Sequence, residues 1–242
     1  MGKARASRKQ AKKDNYKQSN VVSFNKFQKQ KSVTILPRNK NQETHVLKLL
    51  DETKDIVFGI GPAGTGKTLL AVQVAVKNFK EGLVDKIVVT RPAVSVDEDL
   101  GALPGTLEQK MAPWTRPIFD VLREYFSTYE IESMIQEGII EIAPLSYMRG
   151  RTFKHAYIIA DEMQNATPNQ MKMLLTRLGE GSKMAVTGDL RQADRAHDNG
   201  LVEFLDLMEE KNTTKLDVVR FAKHDVERHE AVKEVLEMYG DA

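Results

Sequence analysis

The stretch Gly59-Ile60-Gly61-Pro62-Ala63-Gly64-Thr65-Gly66-Lys67-Thr68 has the residue types of a loop that wraps a phosphate group. Its glycines let the backbone turn tightly enough for successive N–H groups to point inward at one anion. An apolar run, Ile56-Val57-Phe58, precedes it, and Leu69-Leu70-Ala71-Val72-Gln73-Val74-Ala75-Val76 follows. A buried strand, a glycine turn and a helix is the order such a loop needs, because the helix N-terminus adds free donors and a positive dipole end. Lys67 is placed to reach the β- and γ-phosphates, and the Thr68 hydroxyl to ligate Mg²⁺. A glycine-rich turn ahead of a core helix is the plain alternative, and the flanking strand and helix argue against it. Gly61, Pro62, Ala63, Gly64, Thr65, Gly66, Lys67 and Thr68 are therefore expected to bind a nucleoside triphosphate.

Two further strand ends carry polar groups that such a site requires. Ala156-Tyr157-Ile158-Ile159-Ala160 runs into Asp161-Glu162, which puts two carboxylates at the carboxyl edge of a sheet, where open α/β folds bind ligands. Asp161 is expected to hold Mg²⁺ through water and Glu162 to polarise the attacking water. Met184-Ala185-Val186-Thr187-Gly188-Asp189-Leu190-Arg191-Gln192 is a second strand of this kind. It can deliver Thr187, Asp189 and Gln192 to the same edge, where a polar side chain senses the γ-phosphate or orients water. For both segments an ordinary solvated strand end is the competing reading.

These residues need a scaffold, and the chain supplies one. Short Val/Ile-rich runs predict strands near 56–60, 86–90, 139–143, 156–160, 183–187 and 215–220. Helical patterns fall near 67–80, 107–111, 117–127, 130–136, 168–178, 200–210 and 225–239, with a further one through His45–Leu50. The alternation implies an α/β domain with a mostly parallel sheet covered by helices on both faces. The stretch 95–127, with Pro104-Gly105, Pro113 and Arg116-Pro117, reads as an irregular insertion between strands.

The 242 residues carry a net charge of +2, but the charge is unevenly spread. Residues 1–31 hold ten Lys/Arg against the single acid Asp14, a net +9, leaving −7 for the remainder. Residues 1–33 have few apolar side chains to offset ordering entropy and read as a disordered basic tail, with the folded domain over 34–242. Such a tail attracts phosphate backbones, or is simply a solvated segment without a specific partner. There is no cysteine, so disulfides and thiolate metal sites are excluded, in keeping with a reducing cytoplasm. No apolar run reaches the ~18 residues a membrane span needs, and the basic N-terminus lacks the apolar core of a secretory signal.

Taken together, the phosphate loop, Asp161-Glu162 and Gly188-Asp189-Leu190-Arg191-Gln192 resemble the nucleotide-binding motifs of superfamily-one helicases. Longer runs are more specific: Thr90-Arg91-Pro92-Ala93-Val94, Gly101-Ala102-Leu103-Pro104-Gly105-Thr106-Leu107-Glu108-Gln109-Lys110, Tyr147-Met148-Arg149-Gly150-Arg151-Thr152-Phe153, and Val219-Arg220-Phe221 through Val226-Glu227-Arg228-His229. These resemble the PhoH-like family of phages and bacteria over about residues 35–240. The resemblance implies a RecA-like P-loop NTPase that uses ATP and Mg²⁺, is linked to nucleic acid and assembles as a homo-oligomer, with a hexamer expected. It also implies a cytoplasmic protein, in the host cytoplasm where a phage encodes it. By the same analogy Gln42 stands where superfamily-one helicases place an adenine-reading glutamine; otherwise it caps a helix starting near Glu43.

The chain is expected to hold one RecA-like domain, so an arginine finger is expected from a neighbouring copy or from the end of the same domain. Arg220, at the end of the last strand, is favoured over Arg228, whose plain alternative is a solvent-facing side chain. Arg91, Tyr147, Arg149 and Arg151 are the candidates for RNA or single-stranded DNA, since an aromatic beside spaced arginines can stack bases and contact phosphates. Pairing of Arg149 and Arg151 with acids, or contact with ATP, is the alternative. The expected activity is Mg²⁺-dependent ATP hydrolysis coupled to remodelling of RNA or single-stranded DNA. The alternative is an ATPase switch whose nucleotide state controls assembly or partner binding.

Overall fold

In the computed structural model, which describes residues 33–92, 107–192 and 199–239, the Val/Ile-rich runs form the expected strands. These are β1 (Ile56–Ile60), β2 (Lys86–Arg91), β3 (Ile140–Pro144), β4 (Ala156–Ala160), β5 (Lys183–Gly188) and β6 (Leu216–Arg220). They pair in parallel in the order β3-β2-β4-β5-β1-β6. The helices are α1 (Lys40–Leu50), α2 (Lys67–Lys80), α3 (Leu107–Arg123), α4 (Thr128–Gln136), α5 (Pro168–Leu175), α6 (Gly200–Glu210) and α7 (Glu230–Tyr239). Parallel pairing requires crossovers, and α2 to α6 lie on such connections, while α1 precedes β1 and α7 follows β6. This is the RecA-like arrangement, with β5 inserted between the phosphate-loop strand and the strand that ends in Asp161-Glu162.

Alternate residues of each strand feed two cores, as the period of a strand dictates. Val57, Ile87, Val89, Tyr157, Ile159 and Ala185 pack under α1–α4, on one face. Ile56, Phe58, Val88, Ile158, Met184 and Val186 pack under α5 and α6, on the other. Because both faces are covered, β1 and β4 are buried along their whole length and read as continuous apolar runs.

Local caps fix the helix starts. The Asn39 side chain accepts from Gln42 N at 2.9 Å, so α1 begins at Lys40 and Asn39, not Gln42, caps it. Ser127 with Glu130 and Thr167 with Gln170 form capping boxes at α4 and α5.

Three expectations are corrected. The separate helices near 107–111 and 117–127 are one helix, α3, which runs through Pro113 and Pro117, so that much of the supposed irregular insertion is helical. Proline inside a helix costs about 3 kcal/mol, and burial of Ile118 and Leu122 in the first core offsets it. Residues 93–106 lie outside the described residues. Helix α5 stops at Leu175 because the chain beyond it extends to meet Phe153, whose N–H donates to Arg177 O at 2.9 Å. The last helix begins at Glu230 rather than near 225. The buried Asp225 carboxylate takes the Ala222 N–H at 2.8 Å and the Asn41 amide at 2.7 Å, which locks Lys223–Asp225 into a short 3-10 turn.

Candidate functional site

All six strands end at the same edge of the sheet, and the phosphate loop leaves β1 there. Gly64 and Gly66 sit at φ values of 82° and 83°, left-handed conformations that only glycine adopts cheaply. A Cβ on Gly61 would lie 2.5 Å from the Phe221 carbonyl oxygen, so the loop also passes too close to the segment after β6 for any side chain. Lys67 opens α2 and folds back over the loop, donating to the carbonyl oxygens of Gly61 and Pro62 at 2.6 Å each. Burial lowers its pKa, opposed by the nearby carboxylates of Asp189, Glu162 and Asp161.

Asp161 is the hub of the polar cluster. Its Oδ1 accepts from the Thr68 hydroxyl and from the Thr187 hydroxyl, each at 2.6 Å. Thr68 thus spends its proton on Asp161, which leaves its oxygen lone pairs for a cation. A hard divalent ion that keeps most of its waters suits this hydroxyl–carboxylate pair, so the residues present fit Mg²⁺. A cleft of about 250 Å³ opens here, bordered by the loop and by Thr68, Glu162, Thr187 and Asp189.

Glu162 adopts φ 54° and ψ 41°, a left-handed conformation that is uncommon outside glycine. Such strain persists where the surroundings enforce it, and here Gln164 does so. Its amide nitrogen donates to Glu162 Oε2 at 2.5 Å, while its Oε1 accepts from Asp189 N at 3.1 Å. The buried Gln164 therefore joins the two acidic strand ends. Its only signal in the sequence is an amide two residues beyond Glu162 in the run Asp161-Glu162-Met163-Gln164.

The structure also places the remaining candidates. Gln42 is buried, and its amide donates to Thr65 O at 3.1 Å and accepts from Arg38 N at 2.8 Å. Arg228 lies against the loop of its own chain: a Cβ on Gly64 would fall 2.6 Å from Arg228 Nε, and Glu227 N donates to Gly64 O at 2.9 Å. Arg220 is exposed at the end of β6 and paired with Glu209. Gln192 closes the short turn Leu190–Gln192, and its side chain lies outside what is described. Asp189 is buried beside Lys67, and its Oδ1 takes the Arg191 N–H at 3.1 Å.

The nucleic-acid candidates separate into two sets. Arg91 ends β2 in register with Pro144, so it shares the carboxyl edge with the turn Leu145–Met148 that carries the exposed Tyr147. Arg149 is exposed one residue beyond that turn. Arg151 is held elsewhere: its guanidinium pairs with Glu141, with one contact at 2.8 Å, and stacks on Phe153 at 4.5 Å. That pairing holds the Glu141 carboxyl below the usual carboxylate range.

Behind the loop sits His45, fully buried, edge-on to Phe221 at 5.4 Å and so close to Gly59 that a Cβ there would meet its ring at 2.7 Å. Neither ring nitrogen has a partner among the described residues. Burial, with a smaller push from Lys67, lowers its pKa to about 4. Since the unfolded chain titrates near 6.5, it takes up this proton while the folded protein does not. Stability is therefore unaffected by His45 above pH 6.5 and falls by about 3 kcal/mol as pH drops from about 6.5 to 4. Urea unfolding of the wild type and His45→Asn across that range checks this. The difference in stability between them should shift toward the variant by roughly that amount.

The sequence is similar to known proteins over most of its length. The profile of the family described as PhoH-like protein matches residues 34–240. A PhoH-like protein of Bacillus subtilis is 46% identical over 211 residues, covering 86% of this chain and 65% of that protein. Protein PhoH of Escherichia coli K12 is 43% identical over 209 residues, covering 85% of this chain and 58% of its own length. The chain thus spans less than two thirds of the length of these relatives. Among solved structures, the Pif1 helicase of Candida albicans aligns with a TM-score of 0.41 and 14% identity, over 86% of this chain and 44% of that one. The Sulfolobus solfataricus SWI2/SNF2 ATPase core in complex with dsDNA aligns with a TM-score of 0.41 and 14% identity, over 65% of this chain and 33% of that one. With the family match running through residues 34–240 and the glycine loop set at the edge of a parallel sheet of the P-loop NTPase fold, the chain belongs to the PhoH-like family.

Proposed function

We propose that the protein hydrolyses ATP with Mg²⁺ and couples this to RNA or single-stranded DNA, as a ring of identical copies in the cytoplasm. One observation carries the hydrolytic part: Thr68 and Thr187 share Asp161 Oδ1 in the same cleft as Lys67 and Glu162. Lys67 exchanges its bonds to the Gly61 and Pro62 carbonyls for the γ-phosphate. Thr68 and, through water, Asp161 would hold Mg²⁺, which would supply positive charge to offset that of the triphosphate. Glu162, held by Gln164, orients the attacking water and takes up its proton. Arg228 of the same chain, or Arg220 of a neighbouring copy, stabilises the charge that develops on the transferred phosphoryl group.

Arg91, Tyr147 and Arg149 at the carboxyl edge are suited to bases and phosphates next to the nucleotide, and the basic residues of 1–31 add non-specific attraction. The test is steady-state ATP hydrolysis with and without single-stranded RNA or DNA, at low and moderate salt. Stimulation of about 10-fold or more that weakens as salt rises is expected, because phosphate contacts release counterions. Hydrolysis indifferent to every nucleic acid would favour the switch reading instead. Light scattering that finds only monomer in the presence of ATP and Mg²⁺ would remove the ring.

A further inference from the structure

A side chain that reads a nucleobase must offer it free donors and acceptors. Gln42 stands beside the phosphate loop, yet its amide is spent inside the protein: Oε1 accepts from Arg38 N at 2.8 Å and Nε2 donates to Thr65 O at 3.1 Å. What remains of its bonding capacity is shut away, since the residue is only 4% exposed. It also presses on the loop, because a Cβ on Gly66 would come within 3.0 Å of Gln42 Nε2. The neighbouring amides are committed as well, Asn41 to the Asp225 carboxylate at 2.7 Å and Asn39 to the Asp225 carbonyl at 3.3 Å.

The cleft itself is bordered by the loop, by Lys67, Thr68, Glu162, Thr187 and Asp189, and by the apolar side chains of Ala63 and Leu69. These are groups for phosphate, metal and water. Among the described residues that border it there is no aromatic ring to stack on a base and no amide to read its edge.

We propose that this site recognises the triphosphate and not the base, so that purine and pyrimidine nucleoside triphosphates are hydrolysed alike and Gln42 is a positioning residue that ties α1 to the phosphate loop. The inference rests on the hydrolase reading above and names its substrate class. A site built to hydrogen-bond a substrate group rejects analogues lacking it by about 10⁴–10⁵; here no such rejection exists.

The experiment compares kcat/KM for ATP, GTP, CTP and UTP in the wild type and Gln42→Ala, with inhibition by inorganic tripolyphosphate measured beside them. The four wild-type values should agree within about 10-fold, far inside the range a base-reading site produces. Gln42→Ala should lower all four by a common factor and weaken tripolyphosphate inhibition by that same factor, since a positioning residue acts on a ligand that has no base. A preference for ATP above about 100-fold, lost in Gln42→Ala with tripolyphosphate inhibition untouched, would overturn the proposal. Should Gln42→Ala fail to fold, the wild-type comparison decides alone. Glu162-independent or absent turnover of all four nucleotides would overturn the hydrolase reading and this inference with it, whereas turnover of ATP alone overturns only this inference.

Discussion

Glu162→Gln should lower kcat for ATP hydrolysis by about 10²–10⁴ while leaving nucleotide affinity within a few-fold of the wild type. The substitution keeps the shape of a side chain already held at φ 54°, so backbone strain is unchanged and only the proton-accepting oxygen is lost. The phosphate contacts proposed above come from other residues: Lys67 opens α2, and the Thr68–Asp161–Thr187 cluster does not include Glu162. Binding and chemistry therefore separate. Phosphate release and titration with a fluorescent nucleotide read the two independently. A variant that loses affinity and rate in equal measure would place Glu162 in binding instead of water activation.

Arg228→Ala should lower kcat by about 10³ or more, the range in which arginine fingers act elsewhere, while Arg220→Ala should change it less than about 3-fold. The asymmetry follows from their surroundings. Arg228 rests on Gly64, and the adjoining Glu227 N–H holds the Gly64 carbonyl at 2.9 Å, so the segment after β6 is joined to the loop within one chain. Arg220 is exposed at the end of β6, where its guanidinium is held by Glu209. Single-turnover hydrolysis by both variants distinguishes the cases. A large loss in Arg220→Ala with Arg228→Ala near wild type would assign the finger to a neighbouring copy.

Local signals explain what could be read from the sequence. Gly61, Gly64 and Gly66 mark a turn that few other residues allow, and a continuous apolar run ending in Asp161-Glu162 is visible because β4 is buried on both faces. The six strands follow from the same physics. What escaped are contacts between residues distant in sequence. Asn41 meets Asp225 across 184 positions, and that bond stops α7 from starting where its periodicity begins. Arg228 reaches Gly64 only because β6 lies beside β1. Gln164 matters because β4 and β5 are neighbours, which brings Asp189 N to its oxygen. In α3 the prolines gave a true local cost that burial of Ile118 and Leu122 outweighs.

The most direct measurement is phosphate release from ATP by the wild-type chain, with Mg²⁺ supplied and then removed by EDTA, in the presence of single-stranded RNA and DNA. The Thr68–Asp161 pair and the position of Glu162 predict turnover that requires Mg²⁺, stops with EDTA and returns when the ion is restored. No phosphate release at any Mg²⁺ concentration from correctly folded protein would contradict the account and leave the cleft as a nucleotide-binding site alone.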